Sequence, residues 1–65
     1  MAVVKVIEVL AESPDSWEAA TKAALAEAQK SVRNIQSIYV KEFQAVVENG
    51  NLVFRVDTKI SFVVE

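Results

Sequence analysis

Asn49-Gly50 stands between two runs, "IQSIYVKEFQAVVE" (35–48) and "LVFRVDTKISFVVE" (52–65), in which apolar and polar residues alternate. An Asn-Gly pair supplies the positive φ angles of a type I′ turn, so the two runs are predicted to form one antiparallel hairpin. That hairpin takes nearly half of a 65-residue chain. The second arm is the cleaner. Leu52, Phe54, Val56, Ile60, Phe62 and Val64 share one parity with Thr58, while Val53, Arg55, Asp57, Lys59, Ser61 and Val63 share the other. The first arm slips its period: Ile38, Val40 and Val46 alternate on one parity, whereas Tyr39, Phe43, Ala45 and Val47 fall on the other. A β-bulge near Lys41–Glu42 reconciles them.

What remains of the chain has to cover this hairpin. "AVVKVIEVL" (2–10) reads as a further strand, with Val4, Val6, Glu8 and Leu10 on one face and Val3, Lys5, Ile7 and Val9 on the other. It lacks the charged region and cleavage site of a signal peptide. "SPDSWEAATKAALAEAQKSV" supplies one helix, expected over 14–32 with Ser13 as N-cap, Pro14 in the first position and Asp15 at the positive end of the dipole. Trp17, Ala20, Ala24, Ala28 and Val32 form its apolar face, Glu18 and Lys22 an i,i+4 pair, Lys30 and Arg33 lie near its end, and Asn34 suits a left-handed cap. Mostly alanine, that face lets the helix lie close to a sheet.

The fold class expected is α+β: a βαββ protomer with a three-stranded antiparallel sheet partly wrapped around one helix, strand 3 central, in a single domain spanning 1–65. A helix over 14–32 is about 28 Å long, but a strand over 52–64 is about 40 Å. The hairpin thus overhangs its cover by about 10 Å or more, and the overhang is expected to carry Phe62, Val63 and Val64. So small a domain is marginal alone and is usually reinforced by disulfides, metal or self-association. With no Cys and no His, but a 52% hydrophobic content, the chain is left with self-association. A homo-oligomer is the expectation.

The same composition excludes much chemistry. A net charge of −2 from seven basic and nine acidic residues argues against nucleic acid. No apolar run approaches a membrane span, and a cytoplasmic location is expected. Without His, and with a single Gly, there is neither a nucleophilic triad nor a Gly-rich phosphate loop, so no enzyme is expected. Glu8 and Glu12 read as solvated carboxylates. Trp17 reads as a packing anchor in preference to a stacking platform, and Tyr39 as a cross-strand packer or a ligand contact. Arg55, Asp57 and Lys59, beside Ser61, form either a solvated ladder or a polar subunit interface or the wall of an internal cavity. Glu12, Asp15, Glu42, Glu48 and Asp57 are oxygen donors of the type calcium takes, in a site that would have to be assembled across subunits.

The opening "KVIEVLAESPDSWEAA", the alanine-rich helix, "VKE" in strand 2 and the ending "FRVDTKISFVVE", in this order and total length, resemble the dodecin family over nearly the whole chain. The resemblance implies a hollow dodecamer of tetrahedral symmetry. Flavin-binding dodecins hold pairs of riboflavin or FMN between subunits, with a Trp early in strand 2 stacking on the ring and a Gln on strand 3 at its edge. Here Ser37 stands at the Trp position and Arg55 at the Gln position, and an Arg common in strand 2 is Gln44. Tyr39 is the substitute aromatic. The chain looks like a branch without the flavin Trp, one relative of which is described as binding calcium. A small ligand between subunits, lined by Ser37, Tyr39, Gln44 and Arg55, is the resulting expectation. Riboflavin or FMN would be weakened by loss of the Trp, and the alternative is a flavin-free shell holding calcium or serving as a scaffold.

Overall fold

The computed structural model describes residues 3–64, in the order β1 (Val3–Ser13), α1 (Trp17–Gln29), β2 (Ile35–Glu48) and β3 (Asn51–Val64). The sheet order is β1-β3-β2, both pairings antiparallel, so β3 is central as its clean alternation implied. The outermost positions of the expected strands, residues 2 and 65, lie outside the described residues.

The hairpin turns on Asn49 (φ 50°) and Gly50 (φ 79°). Two successive positive φ angles are the I′ geometry, whose twist matches that of the strands it joins. The β2–β3 register breaks between Val40 and Glu42, where the slipped parity required a bulge, and also between Ile35 and Ser37, which the sequence did not announce. The bulge brings Phe43, Ala45 and Val47 opposite Val56, Phe54 and Leu52, on the face that Ile38 and Val40 occupy before it.

The helix differs from its expected bounds at both ends. Its N-cap is Ser16, in extended conformation, with a side chain that accepts from the Ala19 N–H at 2.9 Å. Ser13 instead ends β1, opposite Phe54, and its hydroxyl accepts from the Asp15 N–H at 3.0 Å. Pro14 explains the shift: a residue preceding proline is driven away from the α region, so Ser13 stays extended and β1 runs past Leu10. At the other end the helix stops at Gln29, with Lys30 as C-cap; Asn34 takes the left-handed φ of 61°, but as the turn into β2.

Thirteen helical residues span about 20 Å and fourteen strand residues about 46 Å, so the overhang is about 25 Å, the helix being shorter than the sequence implied. Phe62 and Val63 are half-buried and Val64 is exposed, while Val47 and Leu52 form a second bare region near the hairpin turn. Under the helix, Ala24 and Ala28 pack down on Ile60, with Ile7, Val9, Ala11, Ile35 and Ile38 around them, and Ala20 and Val56 are buried as well. Thr58 is fully buried in this layer, and its hydroxyl donates to the Val9 carbonyl at 2.7 Å. Trp17 closes one end of the layer. It meets Phe54 edge-on at 4.9 Å and Phe43 at 6.0 Å, and its indole N–H donates to the Gln44 carbonyl at 2.9 Å. This is the packing role its helical position implied.

Candidate functional site

The helix covers one face of the sheet only. Residues directly opposite in an antiparallel ladder point the same way, so the register fixes what lies on the other face. Along it run cross-strand rows from β1 through β3 to β2: Val6–Ser61–Ser37, then Glu8–Lys59–Tyr39, then Leu10–Asp57–Glu42, then Glu12–Arg55–Gln44. All four residues expected to line a ligand pocket, Ser37, Tyr39, Gln44 and Arg55, therefore share this uncovered face.

They fall into two pairs. Ser37 and Tyr39 are neighbours along β2, and Gln44 lies directly opposite Arg55. Between the pairs lies the Asp57–Glu42 row, so Arg55 and Lys59 are four residues apart on β3, about 13 Å. One protomer does not gather all four around a common point.

Each pair has a partner that sequence alone did not reveal. The Arg55 guanidinium is held by Glu12: its Nε donates to Glu12 Oε2 at 2.6 Å, and Nη2 contacts the same oxygen. Their side chains are 35% and 41% exposed, so this ion pair is screened by water on one side. Ser37 and Ser61 join hydroxyl to hydroxyl at 2.5 Å, so two small side chains, flanked by Val6 and Tyr39, occupy the row where the family resemblance places a stacking Trp. Both partners were in principle legible, since Glu12 and Ser61 become cross-strand neighbours once the register is known. The bulge adds a third unexpected member: Lys41, unpaired in the ladder, reaches Glu8 at 3.8 Å.

Of the carboxylates named as calcium-type donors, Glu12, Glu42, Glu48 and Asp57 share the uncovered face, whereas Asp15 sits in the β1–α1 connection. Among the described residues, no three His, Cys, Asp or Glu side chains converge in a way that could hold a metal ion. Asp57 Oδ1 is buried and has no hydrogen-bond partner. A groove lined by Gln29, Val32, Arg33, Asn34 and Ile35 lies beyond the helix C-terminus and contains none of the candidate residues. No described helix is long and apolar enough to cross a membrane.

Comparison with known proteins agrees with this architecture. The Dodecin family model matches residues 3–65. The calcium dodecin of Mycobacterium tuberculosis is 36% identical over 63 residues, covering 95% of this chain and 89% of that protein. Its solved structure, described as that of a calcium-chelating antigen with a novel calcium-binding site, superposes with a TM-score of 0.88 at 34% identity, over 97% of this chain and 91% of that one. A mutant of Thermus thermophilus dodecin superposes with a TM-score of 0.93 at 30% identity, over 100% of this chain and 98% of that one. Dodecin from Streptomyces coelicolor gives 0.92 at 26% identity, over 98% and 93%.

Proposed function

We propose, from the premise that this chain belongs to the dodecin family, that it is a non-enzymatic small-ligand binding and storage protein whose working form is a hollow homododecamer. Residues 1–65 act as one domain, and the ligand is held between subunits on the uncovered sheet face, by Ser37, Tyr39, Gln44 and Arg55.

One observation carries this reading: the protomer is too bare to be the finished object. Its accessible surface is 4705 Å², against about 4100 Å² for a compact monomer of this mass. Its radius of gyration is 13.1 Å where a compact chain of this length has about 10.7 Å. Val3, Val4, Val6, Leu10, Tyr39, Phe43, Val47 and Leu52 are each more than half exposed. Apolar surface on this scale is what association covers. The split of the four pocket residues into two pairs fits the same picture, because a second subunit can complete each half.

For the ligand, the loss of the stacking Trp at Ser37 and the tethering of Arg55 to Glu12 weaken riboflavin or FMN binding. Calcium is the second reading, favoured by Glu12, Glu42, Glu48 and Asp57 on the uncovered face and by the likeness to the calcium dodecin of M. tuberculosis. The balanced charge, −2, supports neither nucleic-acid nor membrane partners and accords with a cytoplasmic protein. Light scattering on a size-exclusion peak, with a visible spectrum of the same peak, tests the proposal. The expected mass is about 86 kDa, twelve copies of 7.2 kDa. A stably folded monomer at micromolar concentration would overturn it. Quenching of added riboflavin fluorescence and a calcium-dependent thermal shift then separate the two ligand readings.

A further inference from the structure

The part of β2 that carries Gln44 has little to hold it within its own sheet. β2 is an edge strand, with β3 as its neighbour on one side only. Its ladder with β3 is interrupted between Val40 and Glu42. Beyond that break every residue from 42 to 48 is exposed except the half-buried Val46. Segments with so few buried contacts open locally at low free energy. Yet both ligand readings draw on this stretch, because Glu42, Gln44 and Glu48 all lie on its uncovered face.

The grip on it comes from the other side of the sheet. Trp17 Nε1 donates to the Gln44 carbonyl oxygen at 2.9 Å, across 27 residues of sequence. The same indole meets the rings of Phe43 and Phe54 edge-on, at 6.0 and 4.9 Å. Phe43 precedes Gln44, Phe54 precedes Arg55, and Gln44 stands opposite Arg55. One side chain thus fastens both members of the Gln44–Arg55 pair from behind. The indole is itself fixed, since Trp17 opens α1 directly after the cap Ser16 and its carbonyl accepts from the Thr21 hydroxyl at 2.9 Å. A phenylalanine would offer the two rings an aromatic edge as well; what tryptophan adds is a directed N–H.

We infer that Trp17 is a positioning residue for the ligand face: through the Gln44 backbone it holds 42–48 in place, so that Gln44 stays opposite Arg55 and the carboxylates of Glu42 and Glu48 keep their spacing. Successive side chains of a strand alternate between faces, so a backbone fixed from one face fixes what the other presents. Binding groups are only as precise as the shell that supports them. The inference rests on the ligand reading above and adds to it a residue on the opposite side of the sheet.

The test compares the assembled wild type with W17F and with protein whose single tryptophan is replaced biosynthetically by benzothienylalanine, in which sulfur takes the place of the indole N–H. W17F keeps an aromatic edge and the analogue keeps the whole bicyclic shape, while both lose the donor. Should W17F fail to fold, the analogue carries the comparison. Amide hydrogen exchange, read by mass spectrometry, is expected to quicken in 42–48 by about fivefold, the scale of one lost hydrogen bond. Exchange in β1 and in 35–39 is expected to stay within about twofold of wild type. Riboflavin quenching and the calcium-dependent thermal shift are titrated on the same samples. Whichever of them wild type shows is expected to need about three- to tenfold more ligand at its midpoint once the donor is gone. Faster exchange spread evenly over all strands would make Trp17 a packing residue alone and overturn the inference. So would unchanged exchange in 42–48, or a loosened 42–48 with an unmoved ligand midpoint. Wild type that answers to neither riboflavin nor calcium overturns the ligand reading instead, and the exchange pattern still decides whether Trp17 holds the strand.

Discussion

On the helix side of β3, Val56, Thr58 and Ile60 are wholly removed from water; on the other side of the same strand, Arg55 and Asp57 are half-buried and Lys59 is exposed. The covered side is complete within one chain. Its apolar residues meet the alanines of the helix, and its buried polar group, the Thr58 hydroxyl, is answered by a backbone carbonyl. The uncovered side is answered only in part: Arg55 by Glu12, Ser61 by Ser37, Glu8 by Lys41, and Asp57 Oδ1 by none of the described residues. A protomer lays its helix on one face, so stability is concentrated there, and the other is the face proposed to bind. Substitutions on the two faces should therefore separate folding from binding.

The largest effect is expected at the bottom of the covered side. Ile60 has no exposed surface and touches the layer formed by Ala24 and Ala28. Ile60→Ala should cost about 2–5 kcal/mol, most of what so small a protein has to lose, seen as a lower urea midpoint. A cost below about 1 kcal/mol would mean that the helix face is not the core. Ser37→Trp sharpens the contrast from the other side. It places an aromatic ring beside Tyr39, and base-stacking analogues put its worth at about 1–3 kcal/mol. Riboflavin quenching should tighten by roughly 5- to 150-fold, while the urea midpoint should stay within about 0.5 kcal/mol of wild type, as at other exposed sites. Unchanged quenching would remove Ser37 from the ligand's path.

The covered side was the more legible of the two in the sequence. Hydrophobic period, the Asn-Gly turn and the bulge are local devices, and each set its element: the central position of β3, the paired parity of Val56 and Ile60, the parity change at Lys41–Glu42. The misplaced helix start has an equally local cause. Both Ser13 and Ser16 are good caps, and only the extended preference of a residue before Pro14 decides between them. The short helix is harder to see, since "QKSVRN" contains no glycine and no proline to stop it. The uncovered side depends on register between strands far apart in the chain. Glu12 reads as an ordinary solvated carboxylate until β1 is laid against β3, and only then does it stand beside Arg55, 43 residues away in sequence. Likewise the four residues proposed to line the pocket are visible as a set of types, but their division into two pairs is a fact of the ladder.

A smaller effect tests how complete the covered side is. Thr58→Val keeps the shape and removes the donor to the Val9 carbonyl, at an expected cost of about 1 kcal/mol in the same urea experiment. Were it stabilising, the bond from the Thr58 hydroxyl to the Val9 carbonyl would contribute nothing to the covered side, because a satisfied buried donor should not be improved by a methyl group.

The smallest effect should come from Glu12→Gln. Its carboxylate is 41% exposed and the Arg55 side chain 35% exposed, so the pair sits in high effective dielectric and contributes about 0.2–1 kcal/mol to a melt at low salt. At about 1 M salt, where the screening length is near 3 Å, even that difference should shrink. The charge it frees matters more than the stability it removes. Without Glu12, the guanidinium of Arg55 loses the ion pair it makes among the described residues and keeps Gln44 as its other cross-strand neighbour. A ligand with an anionic group should then gain over a neutral one of the same shape, so FMN quenching should tighten relative to riboflavin in the variant. A large loss of thermal stability would instead place Glu12 and Arg55 in a desolvated contact, and the uncovered side would be contributing to folding as the covered side does. An unchanged ratio of the two flavins, with stability also unchanged, would mean that Arg55 faces no ligand, and the pocket would have to be sought among Ser37, Tyr39 and their neighbours alone.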